Sequence, residues 1–268
     1  MPAQSAGHYA LAATVAVTFA GCYSAIRIGG AFAPPLRFAS LRAALAGTVL
    51  VALLGVRRAR VVPPRRTWGA VLALALVGTV GGFGAMFLSQ RYAGAGIASV
   101  LGNTGPVMVI ALAALFLGER VTRTKAVALA LGFAGVLLIA LGGGAAGPPS
   151  AAGIALPLVA AFGGASESVI VKRARVGDAV LSVAAWQFLA GAVALWGLST
   201  LFESGAAVQW TPTFAGALLF LAVPGTAFGT ALWYWLVQRE DVGRLTLVLF
   251  LVPVAGLALA AALFGEGL

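Results

Sequence analysis

Long apolar stretches alternate with short polar or turn-rich connections along the whole chain. A helix needs about 20 apolar residues to cross roughly 30 Å of hydrocarbon. The segments that reach this length are nine: 8–27, 35–56, 67–89, 93–117, 124–142, 152–171, 180–201, 212–237 and 243–264. No segment shows the alternating ten-residue pattern of a membrane β-strand. The pattern therefore predicts an all-α polytopic membrane bundle.

The composition excludes most other classes of protein. Only 9% of the 268 residues are charged and 61% are hydrophobic, which is too little charge to cover a water-facing surface. One cysteine excludes a disulfide framework, and one histidine excludes a multi-histidine metal site. The sequence holds no metalloprotease motif, no nucleophile elbow and no paired acids within a span. We therefore expect no enzyme activity, no metal and no cofactor.

The placement of the basic residues predicts the orientation of the chain. The formal net charge is +10, and 13 of the 17 lysines and arginines lie in or beside the loops after the second, fourth, sixth and eighth segments. By the positive-inside rule these loops, and with them the N-terminus, face the cytoplasm. The charge excess is thus a signal of topology, and we expect no nucleic-acid partner.

The two halves of the chain resemble each other. At a shift of 147 positions, Gly78-Thr79 matches Gly225-Thr226, Pro106-Val107 matches Pro253-Val254, and Gly118-Glu119 matches Gly265-Glu266. From 78 to 119, 12 of 42 positions are identical. We predict a five-helix repeat over residues 1–147 and a second repeat over residues 148–268. Since five is odd, the second repeat is inverted in the membrane, an arrangement that recurs in secondary transporters.

The second repeat is predicted to be one helix short. The segment 124–142 follows Gly118-Glu119, whereas the chain ends two residues after Glu266. We therefore expect nine spans, with the tenth missing.

The order and spacing of several motifs are similar to those of the drug/metabolite transporter superfamily, in particular its EamA-type exporters with ten helices. The similarity rests on four runs: Pro35–Arg42, Thr104-Gly105-Pro106-Val107 with Leu115–Arg120, Ala185-Trp186-Gln187, and Leu251–Val254 with Phe264-Gly265-Glu266. The resemblance implies an exporter in an inner (plasma) membrane of bacterial type, with small metabolites such as amino acids as substrates. Two positions depart from the family pattern, Ala20 in place of a usual Trp and the acidic Glu167.

Polar residues inside the spans are the first candidates for a substrate site, because they are costly in lipid. Arg42 lies about 10 Å along its helix from Pro35 at 1.5 Å per residue, too deep to reach the surface easily. Its guanidinium could bind a substrate carboxylate, or it could be a structural arginine bonded between helices. Gln187 matches Arg42 at a shift of 145 positions, and Asn103 lies one turn before Pro106. Both could face the same cavity.

Aromatic residues supply a second set of candidates. Trp186, Tyr23 and Phe83 could stack on a substrate, although packing is the alternative for each of them. The run Trp233–Trp235 lies at the cytoplasmic end of its segment, and we expect it to anchor the helix at the membrane interface.

Glu167 is a candidate for proton coupling because a carboxylate in a low-dielectric cavity can exchange protons. The alternative is an acid near the membrane surface that pairs with Lys172 and Arg173. Pro106 and Pro253 are expected to kink their helices and to serve as hinges, because proline removes a backbone donor. The pairs Gly78/Gly82 and Gly225/Gly229 indicate close helix packing.

These observations favour a secondary transporter that exports small amphipathic metabolites by alternating access. Amino acids or related compounds are the leading substrate class. The alternatives are an efflux carrier for drugs and toxic compounds, and a channel or structural membrane protein. The expected partners are the lipid bilayer, a small-molecule substrate and a proton, with the chain acting as a monomer or homodimer.

Overall fold

The computed structural model describes residues 2–92, 101–142, 150–205 and 207–264. These residues form helices joined by short turns, and no strand occurs in them. The helices are α1 (Pro2–Gly29), α2 (Pro35–Val56), α3 (Arg65–Tyr92), α4 (Gly105–Leu117), α5 (Arg123–Gly142), α6 (Ala151–Ala174), α7 (Gly177–Phe202), α8 (Pro212–Val237) and α9 (242–264). Helices α1, α2, α3, α6, α7 and α8 are each long and apolar enough to cross a membrane. The prediction of an all-α, multi-pass membrane protein is confirmed.

Several helix ends follow directly from the local sequence. Pro35 and Pro212 occupy the first turns of α2 and α8, where a missing N–H costs nothing. The side chain of Thr211 accepts a hydrogen bond from the backbone N–H of Phe214 at 3.1 Å. Gly118 ends α4 with a φ of 68°, a left-handed conformation that glycine adopts without strain. These caps fix where each helix begins and ends.

Helices α3 and α8 both contain a wide π-helical stretch near mid-span. The stretches are Leu74–Phe83 in α3 and Val223–Phe228 in α8. In α8, Pro224 lacks the N–H that an α-helix would use, and the hydroxyl of Thr226 donates to the carbonyl of Leu221 at 2.7 Å. Such π-helical segments are rare and frequently occur at functional sites.

Proline also interrupts the fourth and ninth predicted segments. Residues 101 and 102 are helical, 103 and 104 form a turn, and α4 begins at Gly105 with Pro106 in its first turn. Residues 93–100 of the predicted segment 93–117 lie outside the described residues. In α9 the stretch Leu247–Phe250 is a 3₁₀-helix, and Pro253 lies in the first turn of the α-helix that follows. The structure thus shows a break beside each proline.

The helices of the first half pack mainly on those of the second half. Helix α2 lies along α7, α3 along α6, and α1 along α8 and α9. One buried apolar cluster surrounds α2, α7 and α8, and a second contains Ile26, Leu36, Phe38, Phe87 and Phe214. We call the end of the bundle with the basic loops after α2, α4, α6 and α8 the basic end.

Candidate functional site

Arg42 is the centre of a first polar cluster within the membrane span. Its side chain is only 4% exposed, and its Nε donates a hydrogen bond to Thr226 Oγ1 at 2.7 Å. Its Nη2 lies 3.9 Å from Cys22 Sγ, and its Cζ lies 4.3 Å from the centre of the Phe83 ring and 5.8 Å from that of Phe87. Within the described part of the chain, Nη1 has no hydrogen-bond partner. We call these five residues the Arg42 cluster.

Gln187 is the centre of a second polar cluster. Its Nε2 donates to Glu167 Oε1 at 2.6 Å and to Thr79 Oγ1 at 3.3 Å. Its Oε1 accepts a hydrogen bond from the hydroxyl of Tyr234 at 2.9 Å. Gln187, Thr79 and Tyr234 are fully buried, whereas Glu167 is partly exposed. We call Gln187, Glu167, Thr79 and Tyr234 the Gln187 cluster. Both the nitrogen and the oxygen of the Gln187 amide have hydrogen-bond partners in it.

Four of the five residues in the Arg42 cluster correspond to the four residues of the Gln187 cluster. Residues of α1 and α2 match those of α6 and α7 at a shift of 145 positions, and residues of α3 match those of α8 at a shift of 147. The corresponding pairs are Cys22 and Glu167, Arg42 and Gln187, Thr79 and Thr226, and Phe87 and Tyr234. Each cluster therefore takes three helices from one half of the chain and bonds to a threonine of the other half.

Glycines of the π-helical stretches allow the close approach that both clusters need. A Cβ on Gly78 would overlap the carboxyl group of Glu167, and a Cβ on Gly225 would lie 2.5 Å from Cys22 Sγ. A Cβ on Gly163 of α6 would lie 2.7 Å from the Cα of Gly82. Gly229 faces Phe19 in the same manner, with a Cβ placed 3.1 Å from its ring. All four candidate glycines lie at these contacts between the halves.

The two clusters are neighbours in the interior of the bundle. Arg42 lies close enough to Glu167 to interact with it electrostatically, but no carboxylate of the described residues forms a direct ion pair with it. The Phe83 ring beside Arg42 stacks on the ring of Phe188, with the ring centres 5.9 Å apart. Phe188 follows Gln187 in the sequence. Tyr23 is 45% exposed and also lies within electrostatic range of Arg42. A cation, a carboxylate and aromatic faces therefore surround one region near mid-span.

The basic end of the bundle is closed by charged contacts. Glu119 accepts hydrogen bonds from the N–H groups of Val242 and Gly243 at 2.9 and 3.0 Å. The buried Lys125 binds Glu119 at 3.4 Å and Asp241 at 2.7 Å. Partial burial acts to raise the pKa of Asp241, but hydrogen bonds from Lys125 and from the backbone outweigh it, so this pKa lies below its ordinary value. The ends of α4, α5 and α9 are thereby joined.

A second set of contacts at the basic end joins α1, α6 and α8. Lys172 donates to the carbonyls of Val237 and Glu240 at 2.9 and 2.5 Å. His8 lies 2.6 Å from the Glu240 carboxylate. Arg173 donates to the carbonyl of Phe116 at 3.0 Å. The two cations that the sequence offered as partners of Glu167 thus bond to backbone carbonyls. Glu167 itself accepts a hydrogen bond from Gln187, and its role stays a prediction.

The opposite end of the bundle contains a cavity of about 190 Å³. Its walls come from the end of α1, the start of α2 and the end of α3. They are formed by Ile26, Arg27, Gly30, Pro35, Phe38, Phe87, Gln90 and Arg91. This end also has charged contacts, because the Glu203 carboxylate accepts hydrogen bonds from the N–H groups of Leu36 and Arg37 at 2.8 and 3.0 Å.

Comparison with known proteins identifies the family. The model of the EamA-like transporter family matches residues 7–141 and, a second time, residues 151–268. The chain belongs to the EamA-like transporter family. It is therefore a membrane transporter, as the sequence predicted.

Individual relatives of this EamA-like transporter extend over most of its length. The uncharacterized transporter YvbV of Bacillus subtilis (strain 168) is 31% identical over 240 residues, which cover 89% of this chain and 77% of the relative. A probable amino-acid metabolite efflux pump of Salmonella typhimurium (strain LT2) is 29% identical over 269 residues, covering 96% and 87%. A solved crystal structure shares the fold with a TM-score of 0.83 at 21% identity, covering 98% of this chain and 90% of the other.

Some candidates of this EamA-like transporter lie away from the two clusters. Trp186 donates its indole N–H to the carbonyl of Val61 at 3.0 Å and packs edge-on against Trp68, near the basic end. Asn103 lies in the turn before α4 and is partly buried. The roles of Asn103, Pro106 and Pro253 stay predictions, and Glu266 lies outside the described residues.

The sequence missed several residues of the clusters. Tyr234 and Trp233 were expected at the membrane interface, but they are 0% and 5% exposed, and Trp233 donates to Ser168 Oγ at 3.0 Å. For these two residues the expectation is wrong, because α8 turns this face toward α6 and α7, whereas Trp235 is partly exposed and lies against Arg239. Thr79 and Thr226 stand in the Gly-Thr dipeptides that the two halves share. The shared threonines were therefore a usable signal for polar positions.

Proposed function

We propose that the chain exports small metabolites that carry a carboxylate, with amino acids and related compounds as the leading class, by alternating access. One observation carries this proposal: the buried Arg42 guanidinium has an N–H group, on Nη1, without a partner in the described residues. A buried cation without a counter-ion is costly, and a substrate carboxylate would relieve that cost through charge-assisted hydrogen bonds.

The surroundings of Arg42 suit a substrate with both a polar and an apolar part. The guanidinium is held from one side by Thr226 and lies over the Phe83 ring, so its orientation is fixed before a ligand arrives. Apolar walls with a few fixed polar groups are the usual form of a small-molecule site. The name of the Salmonella typhimurium relative, a probable amino-acid metabolite efflux pump, supports the same class of substrate.

The inverted repeat is part of this proposal. The two matched clusters and the double match of the family model both support two related halves, residues 1–147 and 148–268. In such transporters the two halves rock around a central site. We take the basic end as cytoplasmic, on the positive-inside rule. The contacts of Lys125 and Lys172 at this end would then have to separate for a substrate to enter from the cytoplasm.

Counterflow in proteoliposomes tests the function. Purified chain should accelerate the exchange of a labelled amino acid in a saturable manner, and Arg42→Ala should abolish the exchange. Arg60→Ala, in the exposed loop after α2, is the matched control and should leave exchange unchanged. Unfolding temperatures in detergent establish that each variant is folded. Normal exchange by folded Arg42→Ala would contradict the proposal, and ohmic single-channel conductance would favour a channel instead.

Glu167 is the group that we propose for proton coupling. It lies within the span, accepts a hydrogen bond from Gln187 and is partly exposed. Glu167→Gln should remove uphill accumulation driven by a pH gradient, while counterflow, which needs no gradient, continues. If a pH gradient drives no accumulation in the parent chain, proton coupling is contradicted and uniport is favoured. The partly exposed Glu167 carboxylate could also bind a cation, so organic cations should be tested as substrates. Their preferential exchange would support the multidrug alternative.

A further inference from the structure

The arginines outside the basic end form a short series in the first half of the chain. Besides the 13 basic residues near the basic loops, the chain has only Arg27, Arg37, Arg42 and Arg91. Arg37 donates to Ser199 Oγ at 2.9 Å and lies 4.4 Å over the Trp196 ring, so it holds α2 against α7. Arg27 and Arg91 instead line the cavity at the opposite end.

This cavity has the size and chemistry for a small anionic group. Its volume of about 190 Å³ is below the roughly 300–1,000 Å³ of sites for drug-sized ligands. Arg27, Gln90 and Arg91 are exposed at its rim, while Phe38 and Phe87 are buried at 0% and 2% and form its floor. The rim thus supplies two cations and an amide, and the floor is apolar.

The floor of the cavity is also a wall of the Arg42 cluster. The Phe87 ring lies 5.8 Å from Arg42 Cζ, and it packs edge-on against Phe38 at 5.1 Å. Phe38 in turn contacts Phe214 at 5.0 Å. The Phe87 ring therefore borders both the Arg42 cluster and the cavity.

We propose that Arg27, Gln90 and Arg91 form a second carboxylate-binding site, which receives the substrate after it leaves Arg42 and passes the Phe87 ring. The inference rests on the proposed function, since it assigns the exit for the same substrate. A single buried arginine would retain a carboxylate, whereas a second cationic site nearby lowers the electrostatic cost of release. Passage through a membrane protein requires sites that bind well enough to enter and weakly enough to leave.

Counterflow measured separately from each side of oriented proteoliposomes tests this site. Arg27→Gln/Arg91→Gln should raise the half-saturation concentration of an amino acid by about tenfold when it is added at the cavity side, which corresponds to about 1.4 kcal/mol. It should leave the value at the basic side unchanged. Arg57→Gln/Arg60→Gln, in the basic loop, is the matched control and should leave the half-saturation concentration at the cavity side unchanged.

The results separate this proposal from the proposed function. Loss of exchange in Arg42→Ala with equal half-saturation values in the Arg27/Arg91 double variant and the parent chain would overturn the exit site alone. Normal exchange in folded Arg42→Ala would overturn both.

Lipid phosphate is the other source of the same anionic chemistry. Vesicles of pure phosphatidylcholine and vesicles with added phosphatidylglycerol distinguish the two. The exit site requires the same tenfold difference in both lipids and its reduction by salt, because exposed charges are screened. A difference that appears only with phosphatidylglycerol would identify the rim as a lipid contact and overturn the proposal.

Discussion

The Arg42 and Gln187 clusters share one geometry and differ in chemistry. Each joins three helices of one half to a threonine in a π-helical stretch of the other half. In the Gln187 cluster the amide is bonded to three side chains, whereas Arg42 retains an N–H group without a partner in the described residues. The arrangement of helices that the two clusters share thus belongs to the fold. The N–H group of Arg42 that lacks a partner among the described residues indicates that a ligand binds at the Arg42 cluster.

Making the clusters chemically alike should have the largest effect. Arg42→Gln retains an amide that can still bond Thr226 but removes the charge. We expect the half-saturation concentration of an amino acid to rise by at least about 30-fold, because truncating one member of a buried charged pair costs about 2–5 kcal/mol. Counterflow measures the change. Gln187→Asn, which shortens the amide at the corresponding position, serves as control, and an equal or larger effect there would contradict the asymmetry.

Disrupting the close contact between α3 and α6 should reduce the free energy of unfolding. In Gly163→Ala the new methyl group would meet the backbone of Gly82, so we expect a loss of about 1–3 kcal/mol as in other overpacked interiors. Gly164→Ala is the matched control, since a Cβ there has nothing within 4 Å. Thermal unfolding in detergent compares the two. Equal unfolding temperatures would show that α3 and α6 do not pack this closely.

The threonines should sharpen the comparison. Thr226→Val removes a hydrogen bond to a charged group, and Thr79→Val removes one between neutral groups. Such bonds contribute about 1.5–3 and 0.5–1.5 kcal/mol, respectively. We therefore expect Thr226→Val to weaken substrate binding in a ligand-induced thermal shift more than Thr79→Val does. The reverse order would place the ligand at the Gln187 cluster.

The smallest effect is expected outside both clusters, at Asp241. Because its folded pKa lies below its ordinary value, its contribution to stability is present above a pH of about 4 and is lost as the pH falls through the folded pKa. Asp241→Asn should therefore show a shallower loss of unfolding temperature between about pH 5 and pH 3 than the parent chain. An identical slope in both would mean that the contact with Lys125 adds no pH-dependent stability.

The sequence predicted the helices better than their contacts. Spans such as Pro35–Val56 follow from hydrophobicity alone, because lipid requires long apolar helices. The depth of Arg42 and its match with Gln187 were also readable from position. By contrast, the burial of Tyr234 depends on which face α8 turns toward α7, and that is decided by packing between distant segments. The π-helical stretches were signalled only by the shared Gly-Thr dipeptides.

The position of Cys22 has a practical consequence. It is the chain's one cysteine, is 4% exposed and lies against Gly225 beside Arg42. We expect a thiol reagent to reach it when α1 and α8 separate. The rate at which Cys22 is alkylated would therefore report how often the centre of the bundle opens. Turnover and opening could then be timed on the same unlabelled protein.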